Sequence, residues 1–196
     1  MKLLKRIQYN SPVVLTFALI SFAALVSGEM TGGASTIKLF CVYRSSLADP
    51  LTYPRFFLHA LGHSGYEHYM ANMLLMLVIG PPLEEKYGSR SLAAAIVITA
   101  FASGVVQWVF FPHTGLLGAS GIVFMMITMS SLAGARGGAI PLTLIFVFVF
   151  YLGKEVADAL TKVDDISRVT HILGGVCGAC LGFRFTAMKK TGVKPA

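Results

Sequence analysis

Six apolar runs divide this chain, and they constrain its fold more than any other feature of the sequence. They cover residues 12–28, 67–83, 92–111, 120 to about 135, 140–152 with an amphiphilic continuation to 160, and 169–185. The chain is 55% hydrophobic and only 13% charged, which is too apolar for a soluble domain of 196 residues. Because the hydrocarbon offers no water to unpaired backbone groups, such runs cross a bilayer as helices. We therefore predict an all-α polytopic membrane protein with six transmembrane helices in one domain.

The fourth of these runs is unusually short. At about 1.5 Å per residue it reaches about 24 Å, whereas the hydrocarbon core is about 30 Å thick. The residues just before it include Pro112, Gly115 and Gly118, which interrupt a helix. The run is therefore predicted to form a helix that begins inside the membrane at Ser120, where free backbone N–H groups face a protein-lined or water-filled cavity.

The basic residues predict the topology. An even number of spans places both termini on one side, and ten of the sixteen lysines and arginines fall in the tails and loops of that side. The positive-inside rule places this side in the cytoplasm, so Ser120 enters from the outer face. We expect a cytoplasmic tail at 1–10, a membrane domain at 11–187 with a first external loop at about 29–66, and a cytoplasmic tail at 188–196. The net charge of +7 forms no single stripe, so nucleic acid is not an expected partner.

Cysteine and histidine are the residues that could form disulfides or bind a metal. Three cysteines give no even-numbered framework, and we interpret them as packing residues without a disulfide or metal: Cys41, Cys177 and Cys180. A zinc site on His59, His63 and His68 is an alternative, but no acidic or cysteine fourth ligand stands at a suitable spacing. We predict neither metal nor cofactor.

Polar side chains inside the apolar runs point to chemistry, because ionisable groups are costly in the bilayer. His68 and Asn72 are four residues apart and share one helix face at the outer end of the second run. His171 lies two residues into the last run, near the predicted outer level of Ser120. Gly174, Gly178 and Gly182 follow it at every fourth residue, a spacing that lets another helix pack closely. A serine, a histidine base and oxyanion donors are the parts of a nucleophilic hydrolase.

Together these motifs resemble the rhomboid family of intramembrane serine proteases over about residues 55–185. The matching pieces are Gly118-x-Ser120-Gly121, His171-x-x-Gly174 with its glycine ladder, and His59-Ala60-Leu61-Gly62-His63 followed by His68-x-x-x-Asn72. The resemblance implies that Ser120 is the nucleophile and His171 its base. It implies an oxyanion hole made of His68, Asn72 and the Ser120 backbone N–H. Supporting roles fall on Gly118, Gly121, Phe124, Gly174 and Gly178, and structural roles on Arg55, Glu84 and Gly88.

The chain departs from the family pattern at three positions. Phe124 stands where the family commonly has tyrosine, and at i+4 from Ser120 its ring is predicted to stack on His171 without the phenolic hydrogen bond. Pro54 replaces a tryptophan before Arg55, and Thr170 replaces an alanine before His171. Neither member of the expected dyad is lost.

The resemblance implies an intramembrane serine endopeptidase that cuts transmembrane or juxtamembrane segments of single-span membrane proteins within the lipid bilayer. We expect it in the bacterial inner (plasma) membrane, with no cofactor, metal or nucleic acid. Two alternatives stay open. One is an inactive rhomboid-like protein that binds transmembrane segments as a chaperone or sorting factor, and the other is a small transporter built on the broken helix before Ser120.

Overall fold

The computed structural model of the chain describes residues 8–133 and 165–190, together with Leu142, Ile145, Phe146 and Val149. Its helices, numbered in chain order, are α1 (Pro12–Met30), α2 (Ala34–Leu39), α3 (Thr52–Leu58), α4 (Tyr66–Tyr87), α5 (Ser89–Phe110), α6 (Ser120–Ala133) and α7 (Asp165–Lys190). A 3-10 turn covers His59–Leu61, and two short strands are β1 (Val42–Tyr43) and β2 (Gly115–Leu116). The described chain is therefore mostly helical, as predicted.

Three of the described helices are long and apolar enough to cross a membrane: α1, α5, and Arg168–Met188 within α7. The short helix α6 begins at Ser120, the residue predicted from the break that precedes it. The predicted run at 140–152 lies outside the described residues, except for four isolated positions that are helical. The structure thus supports a helical membrane protein, while the count of six spans stays a prediction.

Helix α6 lies at the centre of the described helices. Nine of its fourteen residues are buried, whereas α1 and α5 expose large apolar side chains along their length. Methionines fill much of the space between α6 and α4: Met73, Met76, Met125, Met126 and Met129 are each at most 2% exposed. Burial of their apolar surface is the main force that holds α6 in place.

Glycines allow α7 to lie directly against α6. A Cβ atom at Gly174 would overlap the carbonyl oxygen of Gly121, and one at Gly178 would overlap the carbonyl oxygen of Met125. Both obstacles are backbone atoms, which cannot rotate away as the end of a side chain can. The glycine ladder predicted from the sequence is therefore a helix–helix contact that larger residues would force apart.

The connection between α1 and α4 is folded around Arg55. Its Nε donates to the carbonyl oxygen of Lys38 at 2.8 Å, and its Nη1 donates to Oδ2 of Asp49 at 2.9 Å. The guanidinium also lies 4.7 Å from the centre of the Tyr43 ring. The Arg55 match is thus structural, and this loop is anchored although Pro54 stands where the family has tryptophan.

Glu84 joins three helices at the end of the molecule remote from Ser120. Its carboxylate accepts the backbone N–H groups of Val13 at 3.0 Å and Val14 at 3.2 Å, which lie in the first turn of α1. It also accepts the Ser89 hydroxyl at 2.7 Å, at the start of α5. Free N–H groups at a helix start favour such a carboxylate, so Glu84 has a structural role, as the resemblance implied.

The three cysteines carry free thiols. Cys41 is buried and Cys177 is half-buried, in line with the interpretation as packing residues. Cys180 is exposed on α7, so that interpretation is wrong for this position.

Candidate active site

Ser120 is the first residue of α6 and is half-buried. The backbone turns sharply just before it, at Gly118, where φ is +120°. This angle is one that glycine adopts easily and other residues rarely do. The Gly118 N–H donates to the carbonyl oxygen of His59 at 2.9 Å, which ties the turn to the 3-10 helix. The first N–H groups of α6, at Ser120 and Gly121, have no partner within the helix and are available to an anion.

The loop that leads to this turn is fixed at two points. Strand β2 pairs antiparallel with β1, with Val42 opposite Leu116. The side-chain amide of Gln107 donates to the carbonyl oxygens of Phe111 at 3.3 Å and Thr114 at 2.9 Å. Irregular backbone is stable in an apolar setting only when its polar groups are paired in this way. The loop is therefore held both at Leu116 and at the 111–114 turn before it reaches Ser120.

His68 and Asn72 both point at the turn before Ser120. A Cβ atom at Gly118 would lie 2.8 Å from Nε2 of His68 and 4.0 Å from Nδ2 of Asn72. Asn72 is 6% exposed, and its Nδ2 donates one hydrogen to the carbonyl oxygen of His68 at 3.0 Å. The second hydrogen of that amide is free for another acceptor. His68 and Asn72 share one helix face, as their four-residue spacing predicts, and both therefore bring a donor to Gly118.

His171 reaches the start of α6 from α7. Its ring stacks on that of Phe124, with centroids 4.1 Å apart and planes within 7° of parallel. Thr170, the residue before His171, contacts Gly121. A Cβ atom added to Gly121 would lie 2.9 Å from Cγ2 of Thr170. The stack predicted from the i+4 position of Phe124 is present. His171 therefore lies beside Phe124, about one helical turn along α6 from Ser120.

The other two histidines of the zinc alternative, His59 and His63, have structural partners. Nε2 of His59 is 2.9 Å from the carbonyl oxygen of Ala100, and Nδ1 of His63 is 3.1 Å from that of Leu61. The rings of His63 and His68 meet edge to face at 5.0 Å. Within the described ranges, no three histidine, cysteine or acidic side chains form a group that could hold a metal ion. The contacts do not support the three-histidine zinc alternative.

Burial keeps His59 and His63 neutral. It lowers the pKa of His59 to about 4, against the smaller opposing effect of the Ala100 carbonyl. For His63, burial and then the charge of His68 lower the pKa to about 4. The cause in both cases is that an imidazolium loses its hydration inside the protein.

Three polar residues beside the site were not predicted from the sequence. Ser103 and Gln107 lie on α5, and Ser103 Oγ would be 3.4 Å from a Cβ atom at Gly121. Ser103 Oγ and Gln107 Oε1 are buried without a partner in the described part of the chain. Polar residues inside an apolar run are the signal that could have found them. The third is Ser64, in the loop before α4, where its hydroxyl lies 3.1 Å from Nδ1 of His68.

Fold and site together define a helical membrane protein that gathers a serine, two histidines and an asparagine near the start of one buried helix. Comparison with known proteins identifies the group to which it belongs. The family model described as the Rhomboid domain matches residues 50–188, so the chain belongs to the rhomboid family.

Curated relatives agree with this assignment. Rhomboid-related protein 2 of Mus musculus is 26% identical over 169 residues, which cover 76% of this chain and 56% of the mouse protein. Rhomboid protease GlpG of Serratia proteamaculans (strain 568) is 29% identical over 157 residues, 77% of this chain and 55% of that protein. RHOMBOID-like protein 1 of Arabidopsis thaliana is 31% identical over 130 residues, 63% of this chain and 32% of the plant protein. The chain thus spans little more than half of the mouse and Serratia relatives.

Proposed function

We propose that this protein is an intramembrane serine endopeptidase. The observation that carries the proposal is the arrangement around the start of α6. His68 and Asn72 direct donors at Gly118, two residues before Ser120, while His171 stacks on Phe124, one turn after it. A nucleophile, a base and oxyanion donors are the minimum set for acyl transfer. The name of the Serratia relative, a rhomboid protease, is consistent with this.

In the proposed reaction Ser120 Oγ attacks the scissile carbonyl carbon while His171 takes the hydroxyl proton. The C–N bond then breaks, the nitrogen leaves with a proton from His171, and the carboxyl side stays on Ser120 as an ester. A water molecule, deprotonated by His171, attacks that ester and releases the acid and the free serine. No acidic third residue is required, because the stack on Phe124 orients the imidazole.

The oxyanion of the tetrahedral intermediate would accept hydrogen bonds from three sources: the side chains of His68 and Asn72, and the free N–H groups at the start of α6. Donors fixed before the reaction stabilise developing charge without reorganisation, and each is worth about 10²- to 10³-fold in turnover. Hydrolysis also needs water at a site enclosed by apolar helices. The unpaired oxygens of Ser103 and Gln107, beside Gly121 and the loop before Ser120, are groups that such water can bind.

The proposed substrates are single-span membrane proteins. A transmembrane helix hides its carbonyl groups in intrahelical hydrogen bonds, so the segment must unwind before Ser120 can attack. Unwinding is easiest at residues of poor helix propensity, with Gly about 1 and Pro about 3 kcal/mol worse than Ala. With both termini in the cytoplasm, as the basic residues predict, the cut falls near the outer end of the substrate span, at a small residue.

The proposal is tested by labelling the detergent-solubilised protein with a fluorophosphonate probe and by assaying cleavage of a reconstituted single-span substrate. Ser120→Ala and His171→Ala are each expected to abolish cleavage, and the double variant to be no worse, since one catalytic unit is involved. Ser130→Ala is the matched control, because Ser130 is exposed near the far end of α6. Full cleavage by folded Ser120→Ala protein would exclude this mechanism. Absence of labelling and cleavage in the folded wild-type protein would favour the inactive, span-binding alternative.

A further inference from the structure

Ser64 contacts the side of His68 that faces away from the site. Its backbone N–H donates to Nδ1 of His68 at 3.4 Å, and its hydroxyl oxygen lies 3.1 Å from the same nitrogen. The opposite ring nitrogen, Nε2, is the atom directed at Gly118. The two ring nitrogens of His68 therefore have different surroundings: Nδ1 contacts Ser64, and Nε2 faces Gly118.

The backbone contact indicates which nitrogen carries the proton, but at 3.4 Å it is longer than an ordinary N–H hydrogen bond and holds the tautomer only weakly without the hydroxyl. An amide nitrogen has no lone pair to offer, so at this contact it can only donate, and Nδ1 of His68 must accept. In a neutral imidazole, an accepting Nδ1 leaves the proton on Nε2. The Ser64 hydroxyl, which can turn either way, then also donates to Nδ1. Both contacts thus select the same tautomer.

This tautomer is the one that the proposed reaction needs. With its proton on Nε2, His68 presents a donor at Gly118, where the oxyanion would form beside Ser120. The other tautomer would present a lone pair to the developing negative charge and repel it. We propose that Ser64 is a positioning residue, which keeps His68 in the Nε2–H form and aims that donor at the oxyanion. This inference rests on the proposed function of the site.

Packing alone does not explain why a serine at position 64 contacts His68. The residue is exposed, it precedes Gly65 in the loop before α4, and its hydroxyl makes its contact with a half-buried ring. The ring of His68 is also held by the edge of His63, whose centroid is 5.0 Å away. That contact fixes the plane of the ring but selects neither nitrogen. Solvent at Nδ1 would not select one either, because water donates and accepts equally well.

The kinetic test uses a pair of variants that differ by one hydroxyl group. Ser64→Val and Ser64→Thr have side chains of nearly the same shape, but only threonine can donate to Nδ1. We expect Ser64→Val to lower kcat about threefold to tenfold with little change in KM, the range for losing one hydrogen bond. Ser64→Thr should recover most of that loss. Ser130→Ala, an exposed serine remote from His68, controls for removal of a hydroxyl as such.

A spectroscopic test does not depend on activity. The chain has five histidines, so ¹⁵N-histidine labelling of the Ser120→Ala protein gives few signals, and His68→Gln identifies those of His68. The ¹⁵N shifts and two-bond couplings distinguish a protonated from an unprotonated ring nitrogen. We expect the Nε2–H form in the protein that retains Ser64 and in the Ser64→Thr protein, and a mixture of tautomers in the Ser64→Val protein.

Two results would overturn the inference. One is a proton on Nδ1 of His68 in the protein with Ser64 intact. The other is an unchanged tautomer in the Ser64→Val protein, whatever its turnover, because the Ser64 hydroxyl would then not be what keeps His68 in the Nε2–H form. Since the spectra are recorded on inactive Ser120→Ala protein, they test Ser64 even if the protein proves to be no protease. Failure of the proposed function would instead appear as unimpaired cleavage by Ser120→Ala.

Discussion

His68 and His171 lie near the start of α6 on two different helices, and different forces hold them. His171 is placed by shape: its ring lies flat on Phe124, and α7 approaches α6 so closely that Gly174 contacts the Gly121 backbone. His68 is placed by polar contacts, with the Ser64 donors on one nitrogen and Gly118 before the other. The comparison shows why one side of the site requires small residues and the other requires donors.

The two ways of placing a ring tolerate different changes. A stacked ring keeps its plane when polar groups nearby are altered, but it moves if the helices separate by a few tenths of an ångström. A hydrogen-bonded ring tolerates small shifts of its helix but fails when a donor is removed. Substitutions can therefore be designed that affect one histidine and spare the other.

The largest expected effect is on the donor side. Asn72→Ala removes an amide aimed at Gly118, and we expect kcat to fall about 10²- to 10³-fold with the fold retained. Turnover of a reconstituted substrate and the thermal unfolding midpoint measure the two quantities separately. Asn10→Ala makes the same chemical change beside Glu84, at the far end of the molecule, and should leave turnover unchanged. Near wild-type turnover in folded Asn72→Ala protein would remove Asn72 from the oxyanion hole.

The next largest effect tests the close approach of α7 to α6, which positions His171. Gly174→Ala places a methyl group against the Gly121 carbonyl, and we expect it to lower the free energy of unfolding by about 1–3 kcal/mol, as overpacking does. Gly175→Ala is the matched control. A Cβ atom there has Thr128 Oγ1 as its nearest neighbour, at an ordinary 3.7 Å, so this change should be neutral or stabilising by up to about 1 kcal/mol. Equal losses in both variants would show that the close approach of α7 is unimportant.

A smaller effect isolates the stacked ring. Phe124→Ala removes the surface on which His171 lies, and we expect kcat to fall about 2- to 12-fold, matching the energy of an aromatic pair. Phe124→Tyr keeps the ring and should retain turnover. Steady-state kinetics of both variants on one substrate provide the test. If the alanine variant orients His171 equally well, its kcat will match that of the tyrosine variant.

The smallest expected effect is a dependence of the free energy of unfolding on pH. The pKa values of His59 and His63 are lowered to about 4 in the folded protein, so between about pH 6.5 and 4 the unfolded chain binds more protons. The free energy of unfolding therefore falls as pH is lowered, and the decline begins gently between about pH 7 and 6. Thermal unfolding in detergent at these two pH values measures it. His63→Gln should flatten the slope, and an unchanged slope would mean that other groups cause it.

Hydropathy and breaker residues predicted the helices that are long or interrupted. The start of α6 followed from Pro112 and the glycines before Ser120, and the stack of Phe124 on His171 followed from helical periodicity. The predicted end of the second run, at Leu83, is four residues short. Helix α4 continues because Glu84 bonds to α1 and Lys86 bonds to the Ala133 carbonyl, contacts that hydropathy does not register.

The first loop could not be predicted in the same way. Helices α2 and α3 have fewer than eight residues each, and they are stabilised by contacts between residues distant in sequence. Arg55 reaches back to Lys38, and Val42 pairs with Leu116. In the sequence Ser64 stands out only as a residue that interrupts a helix, because its contact with His68 depends on how the loop folds.

The residues packed around α6 give that helix two faces of different stiffness. Toward α7 it is held by close backbone contacts, Gly121 against Gly174 and Met125 against Gly178, which permit almost no displacement. Toward α4, Met125, Met126 and Met129 lie in one cluster with Met73 and Met76, whose unbranched side chains can change rotamer and still fill the space. A strain from the lipid or from an arriving substrate is therefore absorbed by repacking of the methionines between α6 and α4. The contact between α6 and α7, which sets the position of His171 relative to Ser120, keeps its geometry.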